Sequence, residues 1–411
     1  MNPPSTSKLI TRSERLLPWM LPVCLLFFRG LADLTVLFTA LVFLYRSYSQ
    51  HDWQWARQIW FRFSLLFWAY LLLVNAPFGI APVESLLYAL AFMRWPLFAA
   101  ALGYWLLNNP EPQRRFLISL LCVSLFIFID TGWQYLTGWD FFGIPKFAQD
   151  RLTGPFRNPV PGTLMLRVGF ILLFAGLLFN SLKPATRSIS FTTGLLAMGI
   201  LLIFITGERM PFALYCAGAL VVIAGLLATF PDKRRLILTG LAALLLFFAL
   251  TMQLLPATTE RTIHSFFDTL EQFGQSHYGE IFAAAVQTWL QDPVFGSGLH
   301  NYREACLLVI PSENSCGLHP HNLYLQLAAE TGIAGLAQFL ALLVSIVLTA
   351  LQPLVRNKNW YAAALSLSVL GVSFWPLMAA PSLFNNWIAA LVWLGIGWVL
   401  AMAQTLGRPG A

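Results

Sequence analysis

The chain has 411 residues, 58% of them hydrophobic and only 10% charged, with a mean hydropathy of +0.68. A soluble domain carries about 25% charged residues, so this composition excludes a soluble globular protein, a disordered tail, a secreted disulfide scaffold and a nucleic-acid binder. The net charge of +7 comes from 25 Lys+Arg against 18 Asp+Glu, and in a chain this apolar it reports topology before it reports partners.

The expectation is an all-α polytopic membrane protein, because the apolar stretches are continuous and not alternating as in a transmembrane barrel. About 20 apolar residues span a bilayer as a helix. Twelve segments qualify in chain order: 16–29, 31–46, 60–77, 83–107, 115–137, 162–181, 189–207, 210–230, 235–254, 321–351, 360–380 and 387–404. The first two read as a tight hairpin, and the tenth is long enough to begin above the membrane. Residues 1–411 read as one integral membrane domain. The basic N-terminus (Lys8, Arg12, Arg15) is not followed by a small-residue cleavage site, so no cleaved signal peptide is expected.

With twelve spans both termini lie on one side. Sixteen cations fall on that side, at least one in each segment, from Lys8, Arg12 and Arg15 through Lys233, Arg234 and Arg235 to Arg408. The positive-inside rule then places both termini in the cytoplasm. The remaining nine are Arg29, Arg94, Lys146, Arg151, Arg157, Arg167, Arg209, Arg261 and Arg303, at the outer side or within spans. An arginine there is costly unless partnered, and its planar fork suits phosphate oxygens. Two readings stand for Arg29, Arg94 and Arg167: structural anchors or ion-pair partners, or members of a site for an anionic ligand such as a lipid-linked pyrophosphate.

Two outer segments are long. Residues 138–161 form a first polar loop, and residues 255–320 a larger one leading into span ten. Within the latter, 277–291 (HYGEIFAAAVQTWLQ) reads as an amphipathic interfacial helix, ended by DPVFGSG at 292–298. The strongest local pattern follows, HPHNLYLQLAAETGIAGL from His319 to Leu336. His321 at the mouth of a helix can serve as a general base near neutral pH; the plain alternative is a hydrogen-bonded interfacial histidine. His319 and Asn322 lie beside it. Gly332 and Gly335 would let another helix approach closely. No metal is expected: the outer acids are scattered, and His319 with His321 lacks a third ligand nearby. No cofactor is expected either.

His321-Asn322, nine residues, Gly332, two residues and Gly335 together resemble the signature of the bacterial O-antigen ligases, within the wider family of O-antigen ligases and polymerases. Gly207-Glu208-Arg209, RLTGPFRNP at 151–159 and DPVFGSGLHNYREAC at 292–306 are similar to other segments of that family. The resemblance implies a GT-C-type helical fold with its largest periplasmic loop between helices nine and ten, in the bacterial inner membrane. It implies an undecaprenyl-pyrophosphate-linked glycan as donor and, for a ligase, lipid A–core as acceptor, with membrane lipids around both. It places the catalytic base on His321 and an essential arginine on Arg209. With direct displacement and the arginine surplus in place of a metal, the expectation is an inverting, metal-independent glycosyltransferase. Glu208 would hold the Arg209 guanidinium or pair with another arginine. Many members carry an arginine where this chain has Tyr278, beside His277; Arg261, Arg303 or His277 would supply the missing contact, with Arg151 as a further outer cation. Cys306 and Cys316, ten positions apart in one loop of an oxidising compartment, make a disulfide candidate ahead of His319. A repeat-unit polymerase is the alternative within the family. A protein oligosaccharyltransferase and a lipid-linked glycan flippase are more distant ones.

Overall fold

The computed structural model describes residues 6–147, 151–377, 382 and 386–408. These are helical almost throughout, with two isolated bridges (Trp139 to Pro145 and Phe147 to Arg151) in the first loop. Helices α1 (Thr6–Phe27) and α2 (Arg29–Gln50) meet at the extended residue Phe28, which makes the expected hairpin. Helix α3 (Ile59–Tyr70) runs on through a π-turn, Leu71–Asn75. Helices α4 (Pro82–Phe92) and α5 (Arg94–Ala101) continue as one apolar rod to Leu106. Helix α6 (Pro110–Thr137) opens on a proline, whose missing N–H would be unpaired there anyway, and stops at Gly138 in the left-handed region.

Helices α7 (Pro161–Leu173) and α8 (Ala175–Leu178) form the next rod. Helix α9 (Ala185–Thr206) ends at Gly207, and α10 (Arg209–Thr229) starts at once beyond Glu208. After α11 (Arg234–Leu254), the short helices α12 (Pro256–Thr259), α13 (Ser265–Glu271), α14 (His277–Trp289) and α15 (Tyr302–Val309) carry the chain through the long loop. Helices α16 (Leu323–Arg356), α17 (Trp360–Gly371) and α18 (Asn386–Leu406) close the bundle.

Among the described residues, nine helices are long and apolar enough to cross a membrane. Three of the twelve expected segments fall outside that set. Residues 16–29 lie largely in α1, which carries Lys8, Arg12, Glu14 and Arg15 and has Pro18 and Pro22 inside it. Residues 60–77 and 360–380 correspond to the shorter apolar helices Ile59–Asn75 and Trp360–Gly371; positions 378–380 lie outside the described residues. Helix α18 is the axis of the bundle. Its apolar window is 89% buried against only 17% for the helix Pro231–Leu254, which therefore faces outward. Trp393 and Trp398 of α18 are fully buried, as expected of a helix apolar on all sides; it packs against α2, α5, α7, α16 and α17.

The expected uninterrupted tenth span is broken. Gly332 has φ 63° and ψ −175° inside α16, a conformation nearly restricted to glycine. The break releases three carbonyls from the helical ladder, and in a buried setting each needs a donor. Ser297 N donates to Ala329 O at 2.9 Å, Gly298 N to Glu330 O at 2.9 Å, and the Tyr70 hydroxyl to Thr331 O at 2.7 Å. Asn75 Nδ2 adds a second donor to Glu330 O at 2.8 Å and a bond to Phe295 O at 3.0 Å. In return Ile333 N and Ala334 N donate to Pro293 O and Val294 O.

The DPVFGSG segment is thus laid against the broken helix as a short strand would be. The expectation that another helix approaches Gly332 is corrected accordingly: the close neighbour is the loop carbonyl of Val294, which a Cβ at 332 would overlap. Gly335 does face a helix, with Tyr70 of α3 2.9 Å from its would-be Cβ. We expect Gly332→Ala to cost about 1–3 kcal/mol from backbone strain alone, with the overlap added. Its thermal midpoint in detergent should fall clearly below wild type. Gly371→Ala, in open space at the end of α17, should not; equal midpoints would refute the strained break.

Candidate active site

A cavity of about 370 Å³ opens beside the start of α10. Three guanidinium groups line it, each from a different segment: Arg151 from the first loop, Arg209 as the first residue of α10, and Arg261 from the π-helical turn Glu260–His264. Arg209 Nη1 donates to Ser265 O and to Thr269 Oγ1, both at 3.1 Å, which fixes its fork against α13. Arg261 lies on Gly207, where an added Cβ would come within 2.6 Å of its Nε. Gly207 also has φ 68°, so glycine there serves both the turn between α9 and α10 and the seat of Arg261. Arg151 Nε is buried with no hydrogen-bond partner among the described residues. Much of the remaining wall is apolar, including Leu166, Phe266, Phe273 and Phe282.

Glu208 is the carboxylate on this wall, and its role differs from the expected hold on Arg209. Its oxygens accept from Gly162 N at 2.7 Å, Thr163 N at 2.9 Å and Thr163 Oγ1 at 2.6 Å. The side chain therefore caps the first turn of α7, where an anion also meets the positive end of the helix dipole. Burial pushes the carboxyl above its ordinary range, opposed by these hydrogen bonds and by the nearby charge of Arg151. The acid is occupied in tying α7 to α10 and leaves the arginines facing the cavity.

Tyr278, on the first turn of α14, lines the same cavity. Its ring stands at 88° to that of His321, with centroids 6.0 Å apart. Ser276 caps α14 by accepting from Gly279 N, which sets where Tyr278 and His277 begin. His321 has φ 54°, unusual for a residue with a Cβ. Local bonds hold it there. Asn322 Oδ1 accepts from Tyr324 N and Leu325 N, and Asn322 Nδ2 donates to Pro376 O at 2.8 Å. The Cys306–Cys316 disulfide closes the loop just before it. Both sulfurs sit in a small core with Ala284, Tyr302 and Ala329 that joins α14, α15 and α16.

His319 packs 4.4 Å from His321, centroid to centroid. Its Nε2 is buried without a hydrogen-bond partner among the described residues. Burial, helped by the neighbouring His321, lowers its pKa to about 4. Burial also lowers the pKa of His321, with a smaller push from His277. Both rings are therefore neutral near pH 7, the state in which an imidazole can accept a proton.

Other predicted cations lie elsewhere. Arg303 pairs with Glu313 at 3.6 Å and does not line the cavity. Arg29 lies over the Trp387 ring at 4.7 Å. Arg94 pairs with Asp33 at 3.0 Å and stacks on Trp95, and buried Arg167 donates to Val372 O at 2.8 Å. For these three the structural reading is the one the geometry supports. Sequence reasoning missed Tyr70 and Asn75, which hold the broken helix below His321. Their signal was a tyrosine and an asparagine set in the apolar run 65–76. It also missed Thr163 and Thr269, which secure Glu208 and Arg209.

Two comparisons bear on this geometry. Residues 194–340 match the family model described as O-antigen ligase. The matched stretch contains Arg209, Arg261, Tyr278, His321 and Gly332, and excludes Arg151. No curated protein matches the chain.

Proposed function

We propose, from the O-antigen ligase family assignment that the match over residues 194–340 supports, that this chain transfers a glycan from undecaprenyl pyrophosphate to lipid A–core. The observation that carries the reading is the convergence of Arg151, Arg209 and Arg261 on one cavity whose wall, Tyr278, touches His321. The pyrophosphate of the donor lies among the three guanidiniums. His321 takes the proton of the acceptor hydroxyl as that oxygen attacks the anomeric carbon. The bond from that carbon to the phosphate oxygen breaks, its electron pair goes to the carrier pyrophosphate, and the configuration is inverted. Fixed cations aimed at developing negative charge are commonly the largest catalytic contribution, and here guanidiniums supply the countercharge without a metal.

The same reading gives a GT-C-type enzyme of the bacterial inner membrane, with its active site on the periplasmic face and both termini in the cytoplasm. His277, Asn322 and His319 hold the base and the end of the acceptor path. Arg303 has no part in it.

A lipopolysaccharide gel from a strain lacking the gene tests the reading. The expected result is lipid A–core without O-antigen, with long glycan accumulating on the carrier lipid. A single repeat unit still reaching lipid A–core would make the chain a polymerase. An unchanged ladder would remove lipid A–core as the acceptor.

A further inference from the structure

Resting on the proposed transfer, two fixed points bracket the reacting carbon. The leaving pyrophosphate occupies the arginine cavity, and the acceptor oxygen must be within reach of His321. The anomeric carbon is bonded to the first and attacked by the second, so it lies in the interval between them. Tyr278 borders that interval, since it lines the arginine cavity and its ring meets the His321 ring at 6.0 Å. It is 40% exposed, so its ring has a free surface to offer a ligand. Helix α14 holds it firmly: Ile281 and Ala285, three and seven positions on, are buried together with Ala284 and Thr288, and the helix packs against α15 and α16.

We propose that Tyr278 is the platform for the donor's first sugar and a catalytic residue in its own right. During displacement the carbon–oxygen bond to phosphate lengthens ahead of bond formation by the acceptor oxygen, and the carbon and its ring oxygen take up positive charge. The π face of an aromatic ring attracts a cation. The arginines thus serve the negative end of the breaking bond and Tyr278 serves the positive end. The proton still passes to His321, and no group beyond donor and acceptor is consumed. The ring carries this role, and the hydroxyl is dispensable.

The test uses the full-length protein in lipid nanodiscs, a lipid-linked glycan donor and purified lipid A–core. It reads kcat, donor KM and the Kd for undecaprenyl pyrophosphate. Tyr278→Phe and Tyr278→Trp should keep kcat within about threefold, while Tyr278→Leu should lose about tenfold or more in kcat at nearly unchanged KM and Kd. The proposal is overturned if Phe falls as far as Leu, which would assign the effect to the hydroxyl. It is equally overturned if Leu raises KM and Kd with kcat intact, which would make Tyr278 a mere binding wall, or if Leu is fully active. Wild-type protein that binds undecaprenyl pyrophosphate but transfers no glycan would instead sink the transferase reading itself.

Discussion

His321→Ala should abolish glycan transfer, by about 10²–10⁴-fold as for loss of a general base, while undecaprenyl pyrophosphate still binds. The separation follows from the geometry, since the arginines line the cavity and His321 stands outside it, behind Tyr278. The pH dependence carries a sign. Burial and His277 lower the His321 pKa, so the neutral, proton-accepting form predominates at pH 7. Only when the pH falls through the lowered value does the base become protonated. The acid limb of kcat/KM, which reports the free enzyme, should therefore lie below the ordinary histidine value of 6.5. Bound pyrophosphate brings negative charge near the ring and favours imidazolium, so the limb seen in kcat should lie higher than that in kcat/KM. His277→Ala removes a neighbouring cation-forming group and should move the kcat/KM limb upward. A variant lacking His321 that retains full transfer, or an acid limb above 6.5 in kcat/KM, would remove His321 from the base role.

Much of this architecture was legible because lipid is an unforgiving solvent. Continuous apolar runs leave helix as the available structure, so most spanning helices could be read from hydropathy, while α14 was legible from its amphipathic pattern and its serine cap was not. Individual roles were harder to read where they depended on distant partners. Gly332 and Gly335 have the spacing of a helix-packing pair, but Gly332 is a break, because Pro293 and Val294 arrive from nearly 40 positions upstream to take its neighbours' N–H groups. Glu208 sits next to Arg209 in sequence, yet at a helix start adjacent side chains diverge, and its carboxylate reaches back to Gly162 and Thr163. Arg261 and Arg303 are equivalent by composition and loop. One rests on Gly207 in the cavity, and the other is drawn off by Glu313. The disulfide partners were legible because so few cysteines share that loop.

Arg209→Gln should lower the transfer rate by about 10²–10³-fold, the range for removing one preorganised donor from a site of developing negative charge. It should weaken binding of undecaprenyl pyrophosphate as well, in contrast to His321→Ala. The wild-type guanidinium is already oriented by Ser265 O and Thr269 Oγ1, so little reorganisation remains to be done when charge appears on the leaving group. Arg209→Lys keeps the charge but lacks the planar fork, and a single ammonium cannot both bond Ser265 and Thr269 and present two parallel donors to phosphate. It should recover binding more than rate. Thr269→Val, which removes one of the two braces and leaves the arginine, should lower kcat by a smaller factor than Arg209→Lys. Arg303→Gln serves as the control, since it removes the same charge from the same face of the molecule but outside the cavity. If Arg303→Gln and Arg209→Gln weaken pyrophosphate binding equally, the effect is one of net surface charge, and the arginine cavity is not the donor site.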